Sequence, residues 1–243
     1  MSSGKRHLRA ARPTSAHPRA CSDAIAHLRA SDPVLARLID ELGELPDGRQ
    51  GRPHPHDHYG ALLRSIVGQQ LSVKAASAIY SRILQRYGGR PPTPAQVLAE
   101  DPDQMRAAVG LSAAKVGFLR SLAEHVQDGR LELSRLHSLQ DDEVLATLSA
   151  VKGIGEWTAQ MFLMFHLGRE DVLPLGDLGI RRAIQRTYGL PALPDPQEVE
   201  AIAQPWRPHR TLACRHLWRS LANEPAATPK TTAASLRARA SRT

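Results

Sequence analysis

Residues 148–157, Leu-Ser-Ala-Val-Lys-Gly-Ile-Gly-Glu-Trp, decide the local fold, together with Leu-Pro-Leu-Gly-Asp at 173–177. Leu148 and Val151 are apolar at positions i and i+3, which is the spacing of the inner face of a helix. The pattern therefore predicts a helix that ends near Lys152.

Gly153 and Gly155 flank Ile154 in this stretch. Glycine tolerates a positive φ and lets an anion approach the main-chain amides, so the tripeptide predicts a hairpin that binds phosphate, with a new helix from Glu156. The alternative is that Gly153 only caps a helix C-terminus and Gly155 loosens a turn. The small Ala159 and the apolar run 161–165 favour a complete helix-hairpin-helix over residues 148–167.

Asp177 follows a loop over residues 168–176 that contains two glycines and one proline. Leu178, Ile180 and Ile184 have helical spacing, so Asp177 is predicted to be the N-cap of a helix. A capping carboxylate at the positive end of a helix is also available as a base or as a counter-charge to a cation. The two roles are compatible.

The hairpin and aspartate resemble those of the helix-hairpin-helix, Gly/Pro-loop, aspartate superfamily of base-excision DNA glycosylases. The likeness is strongest to the 3-methyladenine DNA glycosylase II type, which removes alkylated bases. It covers about residues 57–221 and includes three further segments, 65–76, 110–115 and 205–218. The resemblance implies an all-α fold in which a helical barrel packs against a second lobe built from both chain ends, with the DNA-facing cleft between them.

The resemblance also implies site residues. Asp177 is the expected catalytic carboxylate, and Trp157 and Trp218 are expected in the base pocket, although either could be an ordinary core aromatic. The expected contacts to the DNA backbone are Lys152, Gly153, Ile154, Gly155 and Thr158. The candidates for the wedge that fills the gap left by a flipped base are Gln69, Gln70 and Leu71, although glutamines at a helix junction can simply face water.

Trp157 distinguishes two chemistries. Members of the superfamily with lyase activity carry a lysine at this point, which forms a Schiff base through its primary amine. Tryptophan has no such amine, so we expect a monofunctional hydrolase that leaves an abasic site in DNA containing damaged bases. The alternatives are a non-catalytic helix-hairpin-helix module, which has no use for Asp177, and a glycosylase for other lesions or with lyase activity.

The net charge of +8 lies in the two ends of the chain. Residues 1–22 carry five basic residues and no acid, and residues 224–243 carry four basic residues and one acid, so the middle of the chain is neutral. We expect both ends to be disordered basic tails that add salt-sensitive attraction to DNA or merely increase solubility; a transit peptide is the alternative for 1–22. Specific binding must then come from the hairpin amides and nearby cations such as Lys152, Arg181 and Arg182.

Between the tails we expect residues 23–57 and 178–223 to form one lobe and residues 58–177 to form the barrel. Helical patterns occur around 58–68, 72–87, 94–109, 112–128, 141–151, 156–167, 178–189, 196–204 and 208–222. Asp32 and the following proline predict another helix start. The one candidate strand, residues 130–133, is too short to anchor a sheet.

Two cysteines, Cys21 and Cys214, support neither a four-cysteine iron–sulfur site nor a disulfide framework. The histidines at 54, 56 and 58 lack the companion spacing of a zinc site, so we expect no metal site and no cofactor, apart from a possible monovalent cation at the hairpin. With no apolar run of about 18 residues and no signal peptide, we expect a cytoplasmic monomer, associated with the nucleoid if the source is bacterial.

Overall fold

The computed structural model describes residues 18–43, 45 and 57–222, and this part of the chain contains no β-strand. The prediction of an all-α fold is therefore confirmed. The helices are α1 (Pro18–Ser31), α2 (Pro33–Leu42), α3 (His58–Gly68), α4 (Val73–Arg86), α5 (Pro94–Ala99), α6 (Pro102–Val109), α7 (Ala113–Gln127), α8 (Asp141–Ser149), α9 (Glu156–Phe162), α10 (Leu178–Thr187), α11 (Pro196–Ala203) and α12 (Arg210–Ala222).

Several features differ from the sequence-based expectations, and the helix predicted to end near Lys152 ends at Ser149. Helix α1 includes residues 18–22, which the sequence assigned to the tail, and Pro18 is compatible with the first turn of a helix. The single helix predicted over 94–109 is two helices, since Asp101 caps α6 and Pro102 opens it. The candidate strand at 130–133 is not formed, and a 3₁₀ turn occupies Leu133–Arg135.

The helices pack in two groups. Helices α3 to α9 form one group. Some neighbours in sequence contact each other, as α3 does with α4, and so do more distant pairs, such as α3 with α7 and α9, and α5 with α7. The chain ends form the other group, in which α2 contacts α1, α10 and α12. This second group brings the N-terminal helices against the helix that starts at Asp177.

Asp32 joins the two chain ends in the second group. Its buried carboxylate caps α2 through the amides of Val34 and Leu35, and it accepts hydrogen bonds from Trp206 Nε1 at 2.8 Å and from the Tyr188 hydroxyl. Burial by itself raises the pKa of Asp32, but the four hydrogen bonds outweigh it, and the pKa is lowered. Asp32 therefore holds α2 to the segment between α10 and α12.

None of the helices in residues 18–43 and 57–222 combines the length and the apolar character that crossing a bilayer requires. The predicted tails at 1–22 and 224–243 lie almost entirely outside the described residues.

Candidate active site

The predicted helix-hairpin-helix is present. Its helices are α8 and α9, and the hairpin lies between them. Gly153 has a φ of +89°, and a Cβ at this position would lie only 2.2 Å from the ring of Phe118 on α7. Glycine is thus required here both by the backbone conformation and by packing. Gly155 is the extended N-cap of α9 and has no side chain with which to cap it, so the first amides of α9 are left for other acceptors.

The five residues predicted to contact the DNA backbone differ in exposure. Lys152 and Gly155 are exposed and Gly153 is half-buried, whereas the side chains of Ile154 and Thr158 are buried. Ile154 anchors the hairpin in the core, so only the main chain of Ile154 and Thr158 is suited to meet a phosphate. This arrangement agrees with binding through main-chain amides.

Asp177 is the N-cap of α10, as predicted. Its Oδ1 atom accepts a hydrogen bond from the Ile180 amide at 2.7 Å and from Trp218 Nε1 at 3.0 Å. Its Oδ2 atom accepts from Trp157 Nε1 at 2.6 Å. Three N–H donors from three helices therefore fix the orientation of one carboxylate.

Space beside this carboxylate is limited by Gly179, in the first turn of α10. A Cβ on Gly179 would lie 2.9 Å from Asp177 Oδ1, and 3.2 Å and 3.3 Å from Cδ1 and Nε1 of Trp218. The absence of a side chain at 179 is what allows the indole to reach the carboxylate.

The structure separates the three tryptophans. Trp206 is fully buried and belongs to the core, while Trp157 is 49% exposed and Trp218 is half-buried. Trp157 and Trp218 are thus beside Asp177 and accessible, as a base pocket requires. The sequence could not decide between core and pocket for Trp218, because its helix also carries core leucines.

Phe165, which the sequence did not indicate, adds a third ring to those of Trp157 and Trp218. We refer to these three side chains as the aromatic surface. The Phe165 ring is 49% exposed and lies 5.9 Å from the Trp218 ring at 34°. The helix predicted over 156–167 changes to a π-helix at Leu163–Leu167, and Leu163 and Met164 stay buried while Phe165 faces solvent. The uninterrupted apolar run 161–165 was the available signal, because one helix face cannot bury every residue of such a run.

The loop that leads to Asp177 is held from two sides. Asp171 accepts hydrogen bonds from Arg210 Nε at 2.6 Å and from Arg207 Nη1 at 2.7 Å, and the Thr211 hydroxyl bridges the Arg169 carbonyl and the Val172 amide. The Arg169 guanidinium also donates to the carbonyls of His137 and Leu139. These ties fix the start of the loop relative to α12, which carries Trp218.

The three predicted wedge residues lie in the turn between α3 and α4 but point in different directions. Gln70 and Leu71 are exposed, and Gln70 has a φ of +56°, a conformation that non-glycine residues seldom adopt. Gln69 is half-buried and its amide donates to the Gly153 carbonyl at 2.7 Å and to Thr158 Oγ1 at 3.2 Å. Its side chain therefore contacts the hairpin.

Three histidines, His58, His137 and His166, form a cluster. His58 Nδ1 lies 2.8 Å from His166 Nε2, and the rings of His58 and His137 are 4.7 Å apart. Burial, with a smaller contribution from His137, lowers the pKa of His58, and Asp57 opposes this. Across the described residues no group of three or more histidine, cysteine or acidic side chains has the geometry of a metal site, and positions 54 and 56 lie outside them.

A cavity of about 500 Å³ between α2, α10 and α12 is lined by residues that include Arg37, Glu41 and Ser220. It contains none of the predicted site residues. The aromatic surface at Asp177 is instead open to solvent, with Leu178 exposed beside it.

Comparison with known proteins agrees with this geometry. Residues 63–208 match the family described as HhH-GPD superfamily base excision DNA repair protein. DNA-3-methyladenine glycosylase 1 of Schizosaccharomyces pombe is 34% identical over 197 residues, which are 80% of this chain and 85% of the relative.

Two solved structures are also similar. The S. pombe 3-methyladenine DNA glycosylase Mag1, in complex with abasic DNA, has a TM-score of 0.72 at 34% identity, covering 82% of this chain and 97% of that one. A DNA-3-methyladenine glycosidase from Bacillus halodurans has a TM-score of 0.71 at 37% identity, covering 82% and 89%.

Proposed function

Because the chain belongs to the HhH-GPD superfamily of base excision DNA repair proteins, we propose that it hydrolyses the N-glycosidic bond of alkylated bases in double-stranded DNA, including 3-methyladenine and 7-methylguanine. The observation that carries the proposal is the single carboxylate of Asp177, oriented by the indoles of Trp157 and Trp218 at the end of an aromatic surface. A DNA-binding module would need the hairpin but not this carboxylate.

Binding begins with the hairpin, whose main-chain amides donate hydrogen bonds to a phosphate of the strand that carries the lesion. The damaged nucleotide then leaves the stack, at a cost of a few kcal/mol that is lower where damage has weakened base pairing. Indole faces attract a cationic ring by about 0.5–2 kcal/mol and also stack on bases in general. Trp157, Trp218 and Phe165 supply this surface.

The chemical step needs one carboxylate. The bond between C1′ and the base nitrogen breaks, and its electron pair neutralises the positive charge that alkylation placed on the base. Positive charge develops on the sugar, where Asp177 stabilises it, and a water oxygen bonds to C1′ while its proton passes to Asp177 or solvent. Since the leaving group is already charged, its departure requires neither a second acid nor a cofactor.

The residue at position 157 makes the reaction monofunctional. A lyase step requires a primary amine that attacks C1′ and forms a Schiff base. Trp157 offers only an indole N–H, and this N–H is directed at Asp177 Oδ2. The product is therefore an intact strand with an abasic site.

The direct test is Asp177→Asn, with Asp195→Asn as a matched control. Asp195 is also an N-cap, of α11, and its carboxylate accepts hydrogen bonds from the amides of Gln197 and Glu198 in its own helix. Asparagine caps helices about as well as aspartate, so both variants should fold. We expect Asp177→Asn to bind an abasic-site analogue normally and to lose release of 3-methyladenine from methylated DNA, while Asp195→Asn retains both activities.

Near-normal release by Asp177→Asn would contradict the mechanism. If the wild-type protein bound DNA but released no base, a non-catalytic module would be favoured. Two further measurements define the reaction. Mass spectrometry of bases released from methylated, deaminated and oxidised DNA identifies the lesion range. Borohydride trapping on damaged DNA should give no covalent complex, and a trapped complex would overturn the monofunctional assignment.

A further inference from the structure

The turn between α3 and α4 is braced from inside the protein by two side chains. Lys115, on α7, donates from Nζ to the carbonyls of Val67 and Gln69, at 2.7 Å each. These carbonyls belong to the end of α3, where helical carbonyls lack partners within the helix and the helix dipole favours a cation. Burial lowers the pKa of Lys115, which agrees with an ammonium group turned inward rather than towards DNA.

The second brace is the side chain of Gln69 itself. Its amide nitrogen reaches the Gly153 carbonyl at 2.7 Å and Thr158 Oγ1 at 3.2 Å, so it joins the turn to both arms of the hairpin. The residues that it contacts are separated from it by more than 80 positions in sequence. The two side chains thus connect three elements: the turn, α7 and the hairpin.

The part of the turn that these braces support is exposed and strained. Gln70 is the one non-glycine residue with a positive φ among the described residues, and it is followed by Leu71, an apolar side chain that is 38% exposed. A left-handed conformation at glutamine persists only where the surrounding contacts impose it. The contacts of Lys115 and of the Gln69 side chain hold the chain directly before Gln70, and the Leu71 amide after it donates to the Gly68 carbonyl at 3.2 Å.

We propose that Lys115 and Gln69 are positioning residues that hold the Gln70–Leu71 tip at a fixed distance from the phosphate-binding hairpin. The inference rests on the proposed function, since it assigns to the tip the entry into the duplex beside the flipped base. The hairpin and the tip then move as one rigid body, so binding of the DNA backbone and insertion of the tip occur together. Gln69 positions the tip and does not itself enter the duplex. Loss of the braces should impair extrusion of the base and spare the chemical step.

The test measures single-turnover release of 7-methylguanine by Lys115→Met from two DNA substrates. In one duplex the lesion pairs with cytosine, and in the other it lies in a single-nucleotide bulge, where little extrusion is required. We expect the rate to fall at least tenfold on the paired duplex and less than threefold on the bulge. Fluorescence of 2-aminopurine placed next to the lesion should show the corresponding loss of extrusion.

Lys74→Met is the matched control, because Lys74 is an exposed lysine on α4 whose removal deletes the same charge near the turn. It should lower affinity slightly and in a salt-dependent manner, with no difference between the two substrates. Gln69→Leu removes the other brace without changing charge, and it should reproduce the preference for the bulge if Lys115→Met fails to fold.

Equal losses on both substrates, in Lys115→Met and in Gln69→Leu, would show a purely structural or chemical role and overturn the proposal. Normal rates on the paired duplex for both variants would overturn it as well. A wild-type protein that releases 7-methylguanine from neither substrate would instead contradict the proposed function, so the two failures are distinguishable.

Discussion

Adding one methyl group at Gly179 should slow base release while leaving the helix intact. The Cβ of Gly179→Ala would lie 2.9 Å from Asp177 Oδ1, about half an ångström closer than an ordinary contact, and it also approaches Trp218. The carboxylate must move, and misplacement by 1 Å costs roughly a hundredfold in rate, so half that distance predicts about a tenfold loss. Alanine favours the helix by about 0.5–1 kcal/mol, which offsets a strained cap worth about 1 kcal/mol.

The expected result is therefore a rate of 7-methylguanine release about tenfold lower, with a free energy of unfolding within about 1 kcal/mol of the wild type. Gly117→Ala is the matched control, because Gly117 lies within α7 and a Cβ there has nothing within 4 Å. The control should be more stable than the wild type and fully active. Release by Gly179→Ala within twofold of the wild type would refute the geometry inferred for Asp177 and Trp218.

A second substitution tests the ion pairs that hold the loop before Asp177. Asp171→Asn should reduce the free energy of unfolding by about 2 kcal/mol and slow base release, because it removes the charge that holds buried Arg210 and the loop before Asp177. Asp103→Asn is the control, because it loses only an exposed ion pair. In chemical denaturation it should change the free energy of unfolding by less than about 0.5 kcal/mol.

For His216, buried with no hydrogen-bond partner among the described residues, burial and nearby arginines lower the pKa to about 4. The unfolded chain therefore binds a proton that the folded state does not, and wild-type stability should fall as pH decreases from 6.5 towards 4, by up to about 3 kcal/mol. Denaturation of His216→Leu over this pH range should show a flatter profile, and identical profiles would contradict the assignment.

The hairpin and the aspartate could be predicted from the sequence because their signals are local. The i, i+3 spacing of Leu148 and Val151 and the glycine pair fix a turn between helices whatever surrounds them. Asp177 precedes apolar residues at helical spacing, which is enough to identify an N-cap. What remained hidden is why Gly153 must be glycine, since Phe118, which occupies the space of its Cβ, lies on another helix.

At the break between α5 and α6, two signals in the sequence conflict. Asp101 followed by Pro102 is a helix start, yet the apolar periodicity across residues 94–109 suggested one helix. Periodicity continues through such a break whenever both helices pack against the same neighbour, as α5 and α6 do against α7.

The braces at Lys115 and Gln69 could not be predicted, because each joins residues far apart in sequence. A lysine in the first turn of a helix suggests a solvent-facing charge, and only the packing of α3 against α7 places its ammonium group below the last carbonyls of α3. The exposure of Trp157 and Phe165 has the same origin, since tertiary packing decides which members of an apolar run stay buried.

The hydrogen bonds at Asp177 also bear on the choice of leaving group. Each carboxylate oxygen accepts an indole N–H, which orients the group but draws electron density away from the atoms that must stabilise the sugar cation. A carboxylate engaged in this way gives limited help to a neutral leaving group. An alkylated purine brings its own positive charge and stacks on the same indoles, so the residues that restrain the carboxylate also favour the substrates that need it least. Among the bases released from methylated and deaminated DNA, cationic bases should therefore be released faster than neutral ones. The reason is that Trp157 and Trp218, which flank Asp177, bind a positively charged base more strongly.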